Sequence, residues 1–300
     1  MKIGIDIGGS HIGVGLINEE NKIIAMASKD LDEVEKKEIE KVLEQKIIKM
    51  IEGLLRAEEK DKEEIQLIGI AVPGRVNEKG EISAVNLKLN NYPIKKILSK
   101  HFNNVEIQIR NDAKCSSLCE KKYGSLKEYK DAVFLCLGTG IGSGVFLQNK
   151  LLEASNSEAF EIGHMIIERN GIDCNCGKKG CFEKYAAMSV FKQKIFEILN
   201  LPKDISGEEL FEIIKKEKTN AEVKNIIEEY LDNLTIGIIN MIEIFEPEVI
   251  CIGGSFVHFE EIFLEKLKKK ILKNPHVNLK VPEIVLAQMG NNAGIIGAVL

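Results

Sequence analysis

The chain has 300 residues, of which 44% are hydrophobic and 29% are charged, with a formal net charge of −5. This composition is typical of a soluble globular protein with more than one domain. The acidic balance provides no basic surface for nucleic acid. No apolar run approaches the roughly 18 residues that cross a bilayer, and Asp6 falls where a signal peptide would be apolar. Seven cysteines, several isolated on apolar strands, fit a reducing cytoplasm better than a disulfide framework. We therefore expect a cytoplasmic protein that binds neither membrane nor nucleic acid.

The first part of the chain predicts a three-stranded meander, a long amphipathic helix and then alternating strands and helices. The meander surrounds the glycines at residues 8 and 9, and the long helix rests on apolar residues at helical spacing with Lys and Glu between them. The predicted strands are 3–7, 12–17, 23–26, 66–72 and 105–109, and the predicted helices are 31–58, 93–100 and 112–123.

The second part repeats this order with insertions. A hairpin with a glycine-rich turn occurs again, which predicts an α/β fold of two related lobes with a cleft between them. Residues 1–113 would form the small lobe, completed by a C-terminal helix at 291–300, and residues 114–290 the large lobe. The predicted strands are 132–137, 144–147, 249–252 and 283–287, and the longer helices are 184–199, 207–216, 220–245 and one that ends near residue 272.

Two glycine turns are candidates for phosphate binding. Gly8, Gly9 and Ser10 follow Asp6 in the first hairpin, and Gly138-Thr139-Gly140 forms the turn of the second. Glycines let backbone N–H groups approach phosphate oxygens, and Asp6 could hold a magnesium-bound water. An ordinary hairpin turn would explain the first motif alone, but a second turn in the matching place favours two loops around one phosphate chain. Neither turn has the spacing of a P-loop or of a dinucleotide-binding motif.

One imidazole and three thiols fall within a short stretch, at His164, Cys174, Cys176 and Cys181. Zinc binds about four N and S ligands in a tetrahedron, so this stretch predicts a zinc loop over 164–181. The alternatives are buried thiols or a disulfide pair, although three local thiols cannot all pair. Glu161 and Glu183 flank the loop.

These motifs resemble those of a known family. Glu-x-Gly-His, followed by Cys-x-Cys-Gly-x-x-Gly-Cys-x-Glu, is similar to the signature of the ROK family of bacterial sugar kinases and sugar-responsive repressors. The resemblance implies a two-lobed actin/hexokinase-like (ribonuclease H-like) ATPase fold with a structural zinc loop. It also implies ATP and Mg²⁺ at the glycine turns, Gly253 and Gly254 near the adenosine, structural Zn²⁺, and a homodimer.

The resemblance further assigns the acceptor side. Asn111-Asp112-Ala113 resembles the family's Asn-Asp-Ala, in which the Asp is the catalytic base, whereas the simpler interpretation is a helix-capping Asp. His164 would use one ring nitrogen for zinc and the other for the sugar. The residues implied at the sugar are Asn111, Asp112, Glu161, His164 and Glu183, with Gly74, Arg75 and Asn86 as weaker candidates.

Three departures from the family pattern affect the choice of sugar. Phe160 replaces a small residue beside Glu161, Lys114 follows Asn-Asp-Ala, and Met188 ends a run that is usually Tyr-Ala-Ser-Gly. None of them removes the base, the zinc ligands or the glycine turns.

The first functional hypothesis is an ATP-dependent hexose kinase that phosphorylates the 6-hydroxyl, with glucose as the first candidate. N-acetylmannosamine or N-acetylglucosamine kinase is the alternative, because a donor fork at Arg75 suits an amide-bearing sugar. A repressor would need a helix-turn-helix before the turn at residue 8, where no room is expected. A sugar sensor without catalysis would not need Asp112 or both glycine turns.

Overall fold

The computed structural model describes residues 1–9, 11–153, 160–202, 205–273 and 280–300, with Glu33 and Asn86 described by their backbone alone. The chain forms two compact units. Of the described residues, unit 1 contains those in Met1–Gly124, Glu153 and those in Met289–Leu300, and unit 2 contains those in Ser125–Leu152 and Phe160–Gln288. No helix in the described part of the chain is long and apolar enough to cross a membrane.

The elements alternate along the chain as an α/β protein requires. The strands are β1 (Lys2–Ile7), β2 (His11–Ile17), β3 (Ile23–Asp30), β4 (Leu67–Val72), β5 (Arg75–Val76), β6 (Ile82–Ala84), β7 (Leu89–Tyr92), β8 (Glu106–Asn111), β9 (Ala132–Leu137), β10 (Ile141–Leu147), β11 (Lys150–Leu151), β12 (Val249–Gly254) and β13 (Glu283–Leu286). The helices are α1 (Glu33–Lys37), α2 (Ile39–Ala57), α3 (Ile94–His101), α4 (Asp112–Tyr123), α5 (Glu183–Ala186), α6 (Met188–Leu199), α7 (Gly207–Lys216), α8 (Ala221–Phe245), α9 (Glu260–Leu272) and α10 (Ala293–Gly297).

Unit 1 is built on a sheet with the order β3-β2-β1-β4-β8. β1 and β2 form an antiparallel hairpin, and β4 and β8 run parallel to β1. β4 is almost entirely apolar, as expected for a parallel strand that is covered on both faces. The register places Asp6, Ala71 and Arg110 side by side across β1, β4 and β8. Their side chains therefore share one face of the sheet. A small sheet, β5-β6-β7, was not predicted from the sequence.

The C-terminal helix α10 packs tightly on this sheet and on α4. A Cβ on Gly69 would overlap the backbone of Ala298, and one on Gly297 would overlap the carbonyl of Cys115. Glycine is required at both positions because two backbones meet there. Helices α4 and α10 therefore both belong to unit 1, and the division after Gly124 differs from the boundary that we drew at residues 113 and 114.

The prediction of one helix over 31–58 is wrong in its continuity. Asp32 caps a separate short helix, α1, and the backbone leaves the helical region at Glu38 (φ −114°, ψ 28°). The Lys46 ammonium, on α2, donates to the Glu35 carboxylate at 2.6 Å and to the Asp30 carbonyl at 2.9 Å. Eleven residues of continuous helix would separate Lys46 from Glu35 by about 16 Å, so the bond requires the break.

Unit 2 repeats the order of a hairpin followed by parallel strands, in a sheet with the order β11-β10-β9-β12-β13. Its core includes a cluster of aromatic rings around Phe263, which lies 5.0 Å from Phe191 and 5.1 Å from Tyr230 between ring centroids. The predicted helix over 184–199 is divided at Ala187, whose ψ of 145° is extended. This break starts α6 anew, directly beside the glycine turn that follows β9.

Candidate active site and metal centre

Four side chains of unit 2 converge on one point. The ligand atoms of His164, Cys174, Cys176 and Cys181 all lie within 4.8 Å of one another. Cys176 Sγ is 3.6 Å from Cys181 Sγ, and Cys174 Sγ is 3.6 Å from His164 Nδ1. Zinc–sulfur bonds of about 2.3 Å at tetrahedral angles would separate two sulfurs by about 3.7 Å. The donor set and its spacing therefore fit zinc, with Nδ1 as the histidine ligand.

The chain between the ligands is shaped by short backbone hydrogen bonds and by two glycines. Cys174 N donates to the carbonyl of Lys178 at 2.8 Å, and Gly177 N donates to the carbonyl of Cys174 at 2.9 Å. Gly177 and Gly180 both have positive φ, at 87° and 75°. These turns let three thiols approach one point from a stretch of eight residues, Cys174 to Cys181.

The thiols differ in their acidity. Burial opposes ionisation of Cys176, but the backbone N–H of Lys178 and the neighbouring thiols of Cys174 and Cys181 leave its pKa below the usual value. Burial and the adjacent thiols raise the pKa of Cys181 to about 12. A bound divalent cation would offset the effect of burial and favour the ionised thiols, because zinc binds cysteine as thiolate.

Replacing Gly180 with Ala is expected to destabilise the metal loop by more than about 2 kcal/mol, because a side chain adds strain at positive φ. The new Cβ would also overlap the carbonyl of Glu168. Gly177→Ala is the matched control, because its φ is also positive but no heavy atom lies within 4 Å of the added Cβ. It should cost about 1 kcal/mol. Chemical unfolding of both variants measures the difference. An equal loss in the free energy of unfolding would show that the loop shifts to accommodate the Cβ added by Gly180→Ala without further destabilisation.

Glu183 connects the metal loop to the second glycine turn. Its Oε2 accepts a hydrogen bond from Ile141 N at 2.9 Å. A Cβ on Gly140 would overlap the Glu183 carboxylate, so this glycine is needed for the approach. Because Glu183 lies two residues after Cys181, the metal loop sets its position beside the turn.

Glu161 and His164 lie at the two ends of a single 3₁₀ turn, Ile162–His164, in which His164 N donates to the carbonyl of Glu161 at 3.0 Å. Gly163 packs against the carbonyl of Ile141, which brings this turn to the same end of β10 as Glu183. Phe160 has a φ of 66°, and its carbonyl accepts from Ser143 Oγ at 2.9 Å. The left-handed backbone explains why a small residue suits this position, and Phe there carries strain of about 1 kcal/mol.

The second glycine turn also lies beside the third predicted one. Gly138 N donates to the carbonyl of Gly140 at 3.0 Å and closes the turn around Thr139. Gly254 pairs with Leu137 across β12 and β9, and a Cβ on it would lie 2.5 Å from the Leu137 carbonyl oxygen. Unit 2 therefore brings Gly138–Gly140 and Gly253–Gly254 together at the C-terminal ends of the neighbouring strands β9 and β12.

In unit 1, Asp6 is the second-last residue of β1, just before the first glycine turn. Gly8 N donates to the carbonyl of His11 at 2.8 Å, Gly9 has no heavy atom within 4 Å of an added Cβ, and Ser10 lies outside the described residues. Burial raises the pKa of Asp6 from 3.8 to about 6.

Replacing Asp6 with Asn is expected to stabilise the metal-free protein at neutral pH. Because the folded carboxyl keeps its proton up to about pH 6 and the unfolded one loses it near 3.8, its contribution to stability falls as pH rises through this window. Asp6→Asn should therefore raise the free energy of unfolding by about 3 kcal/mol at pH 7 and by only about 0.5 kcal/mol at pH 4. Urea unfolding of wild type and Asp6→Asn at both pH values, without magnesium, checks this. A stability difference between the two proteins that is the same at both pH values would contradict a raised pKa of Asp6.

Asn111, and not Asp112, caps helix α4. Its Oδ1 accepts from Ala113 N at 3.0 Å and Lys114 N at 3.3 Å, and its Nδ2 donates to the carbonyl of Gly74 at 3.2 Å. Asp112 is the first helical residue, and its Oδ1 accepts from Ala113 N at 2.8 Å. Unit 1 thus joins three of the predicted acceptor residues. Arg75 is exposed on β5, and the side chain of Asn86 lies outside the described part of the structure.

The family of this protein follows from comparison with known sequences. The ROK family model matches residues 2–300.

The chain belongs to the ROK family.

ROK relatives of this chain include kinases and repressors. Glucokinase of Thermotoga maritima is 28% identical over 318 residues, which cover 99% of this chain and 95% of the relative. N-acetyl-D-glucosamine kinase of Haemophilus influenzae is 28% identical over 314 residues, covering 99% and 98%. The xylose repressor of Caldicellulosiruptor bescii is 31% identical over 313 residues, covering 99% of this chain and 76% of the repressor.

Solved ROK structures share the fold. A glucokinase from Streptomyces griseus, in complex with glucose and AMPPNP, superposes with a TM-score of 0.80 at 23% identity and covers 99% of this chain and 97% of its own. A putative N-acetylmannosamine kinase from Listeria monocytogenes gives a TM-score of 0.80 at 26% identity and covers 99% and 97%. The predicted family and fold class are both confirmed.

Sequence reasoning missed several residues around these ROK motifs. Ser189 supports the second glycine turn, because its Oγ donates to the carbonyl of Thr139 at 2.7 Å. Arg110 directly precedes Asn111, its Nε lies 3.9 Å from a Glu153 carboxylate oxygen, and its Nη1 is buried with no partner among the described residues. The available signal for Arg110 was a charged residue directly before the Asn-Asp-Ala motif. Nothing local distinguished Ser189.

Proposed function

We propose that this ROK protein is an ATP-dependent hexose kinase that transfers the γ-phosphate to the 6-hydroxyl of its sugar. The observation that carries the proposal is the position of Asp112 at the start of α4, fixed by the Asn111 cap. A protein that only senses a sugar has no need of a carboxylate there, whereas phosphoryl transfer needs a base within reach of the attacking hydroxyl.

Asp112 is the proposed general base. Asp112 stands in the first turn of α4, where the positive end of the helix dipole attracts negative charge. Asn111 orients the backbone on which Asp112 stands and also ties α4 to Gly74. The proton of the sugar hydroxyl would pass to a carboxylate oxygen of Asp112 as the new O–P bond forms. The bond between the γ-phosphorus and the β,γ-bridging oxygen would break in the same transfer, and ADP would leave.

In unit 2, the sugar would be bound by Glu161, His164 and Glu183. Bound zinc would hold His164 by Nδ1, which leaves Nε2 for a sugar oxygen and fixes the ring tautomer. Oε2 of Glu183 already accepts from Ile141 N, so Oε1 would accept from sugar hydroxyls. Glu183 would therefore contact both the sugar and the glycine turn that we assign to phosphate, so that sugar binding could affect the position of this turn.

The donor would be bound by the glycine turns. Backbone N–H groups at Gly138–Gly140 would donate to phosphate oxygens, and Gly253–Gly254 would lie beside the adenosine. Asp6 would hold Mg²⁺, which neutralises charge on the transferring phosphoryl group when it is bound. The glucokinase of similar fold carries an ATP analogue, which supports ATP as the donor.

Glucose is the first candidate for the acceptor, because the Thermotoga maritima relative is a glucokinase and the match covers 95% of its length. An N-acetylhexosamine is the second, supported by the Haemophilus influenzae relative and by the exposed fork of donors at Arg75, next to Gly74. We also propose a homodimer, which sedimentation would test.

The test is ADP release from Mg-ATP in a coupled assay with glucose, mannose, fructose, N-acetylglucosamine and N-acetylmannosamine. Turnover on glucose supports the first candidate, and turnover on an N-acetylated sugar alone supports the second. Calorimetric titration with the same sugars runs in parallel. Sugar binding without any turnover would replace the kinase by a non-catalytic sensor, a class to which the repressor relative points.

A further inference from the structure

One lysine of unit 2 is half-buried and has no anionic partner in the described part of the chain. Lys192, on α6, has its ammonium 5.8 Å from the centre of the Phe259 ring, and burial lowers its pKa. Among the described residues, no carboxylate lies within ion-pairing distance of it. Other lysines of this unit differ, since Lys194 is 2.7 Å from Glu229 and Lys215 is 3.1 Å from Glu261.

An unpaired ammonium loses part of its hydration on burial, and the aromatic ring returns only a fraction of that free energy. Lysine stems usually lie along apolar surface with the charged end in water. Lys192 instead keeps its charged end beside the fully buried Phe259 and near the start of α7, where a Cβ on Gly207 would be 3.9 Å from Nζ. Such a site favours an anion supplied from outside the chain.

The position of Lys192 indicates which anion. One helical turn before it on α6, Ser189 binds the glycine turn, with N donating to the carbonyl of Gly138 at 3.1 Å and Oγ to that of Thr139 at 2.7 Å. Phe259 ends the 3₁₀ stretch that begins directly after Gly254. Lys192 therefore stands on the helix that supports the turn assigned to phosphate, and its ammonium lies beside the last residue of the 3₁₀ stretch that follows the turn assigned to adenosine. All of these residues belong to unit 2.

We infer that Lys192 donates to a non-bridging oxygen of the donor nucleotide's phosphate chain, at the end nearest the nucleoside. The inference rests on the proposed function, because it requires a nucleotide on these turns. Adenine and ribose are uncharged, so the phosphate is the only part of the donor that could neutralise the ammonium. Phe259 is enclosed in the core and is not available to stack on a base.

The experiment compares wild type, Lys192→Met and Lys194→Met in equilibrium binding of adenosine, AMP, ADP and AMPPNP. Methionine keeps the length and apolar stem of Lys192 without the charge. Lys194 is the matched control, because it lies two residues further along α6 and its partner Glu229 is exposed. We expect Lys192→Met to weaken AMP, ADP and AMPPNP by about tenfold, as for a lost charge-assisted hydrogen bond. Adenosine and Lys194→Met should show no change.

Each other outcome overturns the inference. Equal weakening of adenosine would place Lys192 at the base or ribose, or make its role structural. Unchanged affinity for all four ligands would show that Lys192 does not touch the donor, while the proposed kinase would stand. A wild type that binds none of the four would overturn the proposed function together with the inference. The melting temperature of each variant confirms that the compared proteins are folded.

Discussion

Asp112→Asn is expected to lower kcat for sugar phosphorylation at least about 100-fold, with little change in the affinity for sugar. A positioned general base contributes about that much or more to proton transfer, and an amide cannot take up the proton. The substitution preserves shape, and the new side-chain oxygen can still accept from Ala113 N, as Asp112 Oδ1 does at 2.8 Å. Steady-state assays with Mg-ATP and the best sugar of the panel measure the effect.

The cap provided by Asn111 separates the chemical role of Asp112 from a structural one. Because Asn111 Oδ1 accepts from Ala113 N and Lys114 N, α4 should remain folded in the variant. Unchanged sugar binding and melting temperature are therefore the internal controls. A variant that keeps most of its turnover would show that Asp112 is only a helix-start residue and that the base lies elsewhere.

Cys176→Ala is expected to reduce bound zinc from about one ion per chain to almost none and to weaken sugar binding by about tenfold or more. Three ligands remain, but the convergence within 4.8 Å depends on all four side chains. Loss of the ion would release the His164 ring and loosen the stretch between Cys181 and Glu183. Metal analysis by mass spectrometry and calorimetric sugar titration measure the two effects.

Cys136→Ser is the control for removing a thiol, because Cys136 lies on β9 outside the four-residue cluster. It should keep both its zinc and its sugar affinity. A Cys176→Ala protein with unchanged metal content and sugar affinity would exclude the proposed role of the loop. Loss of metal with unchanged sugar affinity would separate the zinc from the sugar site.

Motifs that are compact in sequence were predicted well. The four candidate metal ligands fall between His164 and Cys181, and glycines at positive φ let so short a segment turn its side chains onto one point. The hairpins around Gly8 and Gly138 were visible because apolar strands flank a glycine turn. Such features depend on neighbours along the chain, which is the information that a pattern contains.

Helix boundaries were predicted less well. Helical spacing continues across Glu38 and across Ala187, so no local pattern shows either break. The first break allows Lys46 to bind Glu35, and the second allows α6 to begin at the glycine turn. Both breaks are decided by partners that lie elsewhere in the fold.

The amino-acid sequence alone indicated the family, the α/β class, four candidate zinc ligands and a candidate base, because each follows from residues at short, fixed offsets. The tertiary structure alone decided how these parts are connected. It placed Glu183 on Ile141 N at 2.9 Å, 42 residues away in sequence, and left the Lys192 ammonium beside Phe259. Folding brings distant segments together by packing and hydrogen bonding, and local spacing does not encode those partners.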